Sequence, residues 1–194
     1  MQSIPLFLFI LSVAFEILYL VMFILTIKLR GFRFWPPPSP RSWQFFSAWI
    51  IAALVAVFFL FLGFLDFNSF ILQSWIRIPI SLALFIISIT IGTWASLTLG
   101  FRTMIGLGEK LIFHGPYKYS RNPQYIVDSI SILAYMIFTN SWMVCVIGIL
   151  GILLNLIAPF TEEPWLEEKF GLEYSNYKQC VPRFISILKN DHST

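Results

Sequence analysis

Long apolar runs alternate with short polar breaks along this chain. Residues 4–27 are apolar apart from Glu16, and residues 43–65 are apolar as far as Gly63 and Asp66. A third run covers 71–99, with Arg77 and Pro79 marking an early, interfacial turn. After a polar stretch at 100–124, two more runs, 125–139 and 142–160, are parted only by Asn140 and Ser141. A helix that crosses a bilayer needs roughly 20 mostly apolar residues, so the first three runs predict spans. The two-residue link predicts a helical hairpin from the last two, the fourth run being short for a full crossing. The expectation is an all-α integral membrane protein of five transmembrane helices in one membrane domain, 1–194. The first run carries no basic leader and is too long for a cleaved signal, so it counts as a mature helix.

Composition agrees with this picture. The chain has 194 residues, 58% hydrophobic and 12% charged, against about a quarter charged in soluble domains. Cys145 and Cys180 give no disulfide framework, and His114 and His192 are too few for a zinc site, so no metal is expected. The net charge of +3 is spread over loops rather than gathered into a patch, which argues against a nucleic-acid partner. Twelve of the thirteen basic residues fall in three groups: Lys28, Arg30, Arg33 and Arg41; Arg102, Lys110, Lys118 and Arg121; Lys169, Lys178, Arg183 and Lys189. With an outside N-terminus and five spans, all three groups lie on the cytoplasmic side, where Lys and Arg concentrate. Arg77 is left over. The 100–124 loop and the C-terminal segment then share one face and can meet. The connector GFRFWPPPSPR, 31–41, reads as an interfacial link, its aromatics and arginines suited to the headgroup layer.

Two polar segments stand out. GPYKYSRNPQY, 115–125, has turn signals at Gly115-Pro116 and Asn122-Pro123, with Tyr117, Tyr119 and Tyr125 between and beside them. Just upstream, 109–112 reads as a short strand-like stretch that could offer backbone N–H and C=O to a planar ring. Polar backbone beside a membrane points to a water-accessible cavity or a ligand, though a structured interfacial loop has the same pattern. The second segment, TEEPWLEEKFGLEYSNYKQCVPRFI, 161–185, opens with a possible cap at Thr161, Pro164 in a first turn, and glutamates that suit a helix N-terminus. Trp165, Leu166, Phe170, Tyr174 and Tyr177 recur at roughly helical spacing and predict an amphipathic C-terminal helix on the membrane or on the loop.

Together these segments resemble the C-terminal signature of the isoprenylcysteine carboxyl methyltransferases and their phospholipid methyltransferase relatives, above all the short prokaryotic members with five spans. The resemblance covers 100–185; helices one to three match only in hydropathy. It implies a catalytic region at 100–194 and a cytoplasmic loop that binds S-adenosyl-L-methionine against the C-terminal segment. The implied cofactor contacts are Lys110, Leu111 and Ile112 around the adenine, Tyr117, Asn122, Pro123, Gln124, Tyr125 and Glu162, with His114 and Arg102 also in contacting positions. The implied activity is carboxyl O-methylation of a C-terminal isoprenylcysteine that enters from the bilayer, by a monomer in the cell membrane or endoplasmic reticulum. A carboxylate acceptor needs no general base, so alignment and desolvation would carry the rate. An amine acceptor would need one, and Glu163 or Glu162 is the candidate.

Two departures bear on the substrate. The family usually has His-Pro where this chain has Asn122-Pro123. The eukaryotic carboxyl methyltransferases carry an arginine four residues before the cofactor-binding glutamate, where this chain has Ala158. Phospholipid N-methylation therefore stays open, and a membrane NADPH-dependent reductase is a remoter alternative because sterol reductases end in a similar tyrosine-containing segment. A transporter would predict repeats or paired broken helices, which the sequence lacks. Asn155, two turns before Glu162, is a candidate for substrate contact or for interhelical hydrogen bonding. Glu16 and Asp128 lie inside apolar runs, where acids are costly and often functional. Glu16 is expected to make an interhelical hydrogen bond, and Asp128 to line a substrate cleft or order the loop.

Overall fold

The structure is a computed structural model that describes residues 3–108 and 110–185. Glu109, which opens the 109–112 stretch, lies outside the described residues, as do Lys189 and His192. Six α-helices follow one another: α1 (Ser3–Lys28), α2 (Trp43–Leu65), α3 (Arg77–Leu99), α4 (Pro123–Thr139), α5 (Trp142–Phe170) and α6 (Leu172–Cys180). No strand occurs among the described residues. The strand-like reading of 109–112 is therefore corrected: Lys110, Leu111 and Ile112 are irregular backbone between a π-type turn at Thr103–Leu107 and a 3-10 turn at Gly115–Lys118.

Four helices, α1, α2, α3 and α5, are long and apolar enough to cross a membrane. The α4 helix has 17 residues. The spans are apolar all round rather than on one stripe, as expected where lipid replaces water. Their outer faces stay uncovered: Leu97 is 79% exposed and Phe64 77%. Small residues sit where helices touch. Gly63 lies against Tyr135 and Thr139, and Gly92 against Val127. Ser88 of α3 donates to the Val127 carbonyl at 2.8 Å and also contacts the Ser131 hydroxyl. Such contacts let backbones approach closely where no hydrophobic force separates helix from lipid.

The third helix begins at Arg77 rather than near 71. Residues 66–76 instead form a loop tied to the α4–α5 link at the end remote from Glu162. Asn140 is fully buried with φ 47°. Its carboxamide donates to Asn68 Oδ1 at 2.9 Å and accepts from the Leu72 N–H at 2.9 Å. Ser141 caps α5 by accepting from the Val144 N–H, and its hydroxyl donates to Asp66 at 2.5 Å. Arg77 lies here too, its guanidinium 5.3 Å from the Phe67 ring centre.

The fifth helix differs most from expectation. It does not stop at Phe160 with a new helix capped by Thr161; it runs unbroken to Phe170 with Pro159 and Pro164 inside it. Each proline removes one backbone donor, but the Thr161 hydroxyl turns inward and donates to the Ala158 carbonyl at 2.7 Å instead of capping. The chain turns only at Gly171, where φ is +53° and a side chain would be strained. The expected amphipathic helix over 161–185 is thus the last turns of α5 plus the short α6. That helix lies on the 115–118 turn, where the Tyr177 hydroxyl donates to the Tyr117 carbonyl at 2.7 Å.

Candidate active site

The connector 31–42, the loop 100–122 and the segment 161–185 meet at the other end of the helices. Two buried structures anchor them. Phe34 and Ala158 pack with Phe23 and Ala48 beneath the connector. Gly106 (φ +82°) leaves no room for a side chain, because a Cβ there would stand 2.8 Å from Pro37. The prolines of the connector thus lean on the π-type turn and push Trp35 inward. Its indole N–H donates to the Tyr125 hydroxyl at 3.1 Å and to Glu162 Oε1 at 2.5 Å, and the Tyr125 hydroxyl donates to the same Oε1 at 2.5 Å. The connector is more than an interfacial link: it supplies one of the groups that fix Glu162.

Glu163, one residue on, points elsewhere. Its carboxylate receives Arg183 Nε at 2.8 Å and Nη2 at 2.6 Å, and Arg121 Nη2 lies 3.2 Å away. Arg183 also stacks 3.9 Å from the Phe160 ring centre. The paired hydrogen bonds to Glu163 push its guanidinium pKa above the usual value. The C-terminal segment is fastened further by its backbone. The Arg121 N–H donates to the Pro182 carbonyl at 3.0 Å, and Asn122 Nδ2 donates to the Arg183 carbonyl at 3.0 Å. On the opposite side, Lys169 donates to the Gly108 carbonyl at 2.5 Å while lying 4.7 Å from the Trp165 ring centre. Arg33 faces the same Trp165 at 5.7 Å; burial lowers its pKa, and Glu168 opposes that shift.

These contacts enclose a cavity of about 890 Å³. Of the residues singled out from sequence, Lys110, Leu111, Ile112, Tyr117, Asn122, Gln124, Tyr125 and Glu162 line it. Pro123 opens α4 at the first helical position, which its fixed φ suits, and lies beside the cavity rather than in its wall. Arg102 and His114 are exposed and outside the lining. Glu163 is 5% exposed and turned away into its ion pairs. Asn155 lines a second, smaller cavity, with Nδ2 donating to the Ser129 hydroxyl at 3.2 Å. Asp128 is on the wall of both cavities. Glu16 is 3% exposed, but the expected interhelical hydrogen bond is missing at Oε2, which meets no partner among the described residues.

Arg121 and Trp35 also line the large cavity, and sequence reasoning assigned neither to the site. The Arg121 side chain is 7% exposed, yet its Nε and Nη1 have no hydrogen-bond partner among the described residues; the Tyr117 hydroxyl is likewise unpartnered. Buried polar atoms without partners are uncommon and call for an explanation such as a ligand. Arg121 stands inside the quoted motif, so its place between two turns was available as a signal. Trp35 had none beyond its neighbouring prolines. Burial raises the phenol pKa values of Tyr117, Tyr174 and Tyr177 above the ordinary 10.0. All three phenols therefore serve as neutral donors or acceptors at physiological pH.

Comparison with curated proteins and with solved structures gives no match. The family model for phospholipid methyltransferases matches residues 76–173, from the start of α3 to the beginning of α6. That stretch is more than half of the chain and carries Tyr117, Arg121, Tyr125, Glu162 and Glu163. The chain belongs to the phospholipid methyltransferase family and is a multi-pass membrane methyltransferase of lipid-type substrates.

Proposed function

We propose that this protein transfers a methyl group from S-adenosyl-L-methionine, held in the large cavity, to a lipid acceptor held among the helices. One observation carries the reading: Arg121, whose Nε and Nη1 have no hydrogen-bond partner among the described residues, Tyr117, whose hydroxyl has none there either, and the fixed carboxylate of Glu162 all line one cavity. The donor has a carboxylate, an ammonium, a ribose diol and a sulfonium. A guanidinium edge suits the carboxylate, and Glu162 suits the diol or the ammonium. The ring faces of Trp35 and Tyr117 suit a cation. The irregular backbone at Lys110–Ile112 suits the edge of an adenine. The cavity volume falls within the ~300–1,000 Å³ of ordinary ligand sites.

When bound, the donor supplies an electrophilic methyl on its sulfonium. The protein's part is to align donor and acceptor and to exclude water, and good alignment is worth ~7–11 kcal/mol of barrier. Glu163, gripped by two guanidiniums, positions the loop and the C-terminal segment rather than taking a proton. Glu162 is the better candidate for a proton acceptor.

Two acceptors stand. Carboxyl methylation of an isoprenylcysteine follows from the resemblance. N-methylation of a phospholipid amine gains support from Asp128, on the wall shared by the two cavities, the second of which has no Lys or Arg among its described lining residues. Ala158 is 2% exposed and packed among aromatics, so no cation waits there for a carboxylate. The site faces the cytosol in this reading, since the described basic residues other than Arg77 lie at its end of the helices, and α4 with α5 completes five crossings.

Calorimetric titration of S-adenosyl-L-methionine into the purified protein tests the donor assignment. Wild type binds, and Glu162→Ala weakens binding more than about tenfold, or ~1.4 kcal/mol. Unchanged affinity would remove Glu162 from the site, and binding of a nicotinamide cofactor instead would favour a reductase.

A further inference from the structure

The second cavity measures about 370 Å³ and lies between α1, α2, α4 and α5. It shares Trp35, Trp49, Tyr125 and Asp128 with the large cavity, so the two adjoin at the level of the reacting groups. Its walls are otherwise mostly apolar, among them Phe23, Val55, Phe59 and Ile132. Such a lining fits a hydrocarbon chain.

Glu16 breaks the pattern. A buried carboxyl oxygen without a partner, as at Oε2, costs free energy in apolar surroundings. No Lys, Arg or His among the described residues lines this cavity to neutralise it. Its depth can be read from α5. A Cβ on Gly151 would stand 3.5 Å from Glu16 Oε1. Gly151 precedes Glu162 by just over three helical turns, so the carboxyl lies roughly 16 Å from the Glu162 level at the usual helical rise.

We propose that this cavity seats the acceptor's hydrocarbon chain, and that Glu16 recognises a hydroxyl carried on that chain roughly 16 Å along the helices from the level of Glu162. The proposal rests on the methyltransferase reading for the identity of the reacting end. An unsubstituted prenyl or acyl chain leaves Oε2 unmet, whereas a mid-chain hydroxyl satisfies it. Glu16 is then a specificity residue, not a catalytic one.

A binding measurement tests this without turnover. Octadecylamine and 12-hydroxyoctadecylamine are titrated against the full-length protein in nanodiscs. Wild type binds the hydroxylated amine roughly tenfold more tightly, as one charge-assisted or buried hydrogen bond allows. Glu16→Leu removes the preference, Glu16→Gln keeps part of it, and neither variant changes affinity for S-adenosyl-L-methionine. Equal affinity of wild type for both amines overturns the proposal. So does a preference that survives Glu16→Leu, or a loss of plain octadecylamine binding in that variant, which would put the ammonium itself on Glu16. Should Glu16→Leu fail to fold, the wild-type comparison and Glu16→Gln still decide. A hydroxyl preference without any cofactor binding would instead contradict the methyltransferase reading and leave the cavity assignment standing.

Discussion

Arg121, on the wall of the large cavity, reaches Glu163 with one nitrogen, Nη2 at 3.2 Å, while its buried Nε and Nη1 have no hydrogen-bond partner among the described residues. In the proposed reading one guanidinium does two things: it ties the loop to α5 and offers its remaining donors to the carboxylate of the methyl donor. Arg121→Lys retains the charge and loses the fork, since an ammonium cannot present parallel donors in a plane. We expect roughly tenfold weaker cofactor binding, or ~1.4 kcal/mol. Calorimetry on the variant checks it. A donor lacking its carboxylate should bind wild type and variant alike.

Removing the other partner acts on stability. The Glu163 side chain is 6% exposed and holds both Arg121 and Arg183. Glu163→Ala leaves two guanidiniums facing each other, and breaking a buried pair this way costs about 3–5 kcal/mol. The C-terminal segment should loosen, so limited proteolysis near Val181 should quicken markedly. Arg183→Ala should show the same cleavage with a smaller loss of stability, because Arg121 still meets Glu163.

Asn140 gives a control at the remote end. Its carboxamide ties the α2–α3 loop to the α4–α5 link, and its backbone is left-handed. Asn140→Ala strips the Leu72 N–H of its acceptor and strains the turn, for about 1–3 kcal/mol. Unfolding in detergent should show the loss, while cofactor affinity stays at the wild-type value.

Three phenols, two buried and one half-buried, set an alkaline limit. Tyr117, Tyr174 and Tyr177 have folded pKa values above the ordinary 10.0, each chiefly through burial. The unfolded chain gives up those protons first, so the folded state binds more of them above pH 10 and stability falls as pH rises. Ultraviolet titration should show these tyrosines ionising late, together with loss of structure. The Phe variants should flatten the decline.

How far the sequence could be read follows from the kind of signal each element leaves. The spans were legible because lipid demands long apolar runs, and the cluster from Lys110 to Glu162 because turn residues and tyrosines between such runs mark either an interfacial loop or a cavity wall. The end of α5 was not. Pro159, Thr161 and Pro164 carry the local marks of a break, but the helix continues because Glu162 and Glu163 are held on different sides by Trp35, Tyr125 and Arg183. Those partners lie far off in sequence. Trp35 was invisible for the same reason: only the meeting of Gly106 with the connector prolines turns its indole into the site.

Methyl transfer itself is the decisive measurement. Donor labelled in its methyl group is offered to the purified protein with either N-acetyl-S-farnesylcysteine or phosphatidylethanolamine. We expect label to enter one of these lipids, and Glu162→Ala and Arg121→Ala each to abolish the transfer. A protein that binds no S-adenosyl-L-methionine and labels neither acceptor would contradict the account.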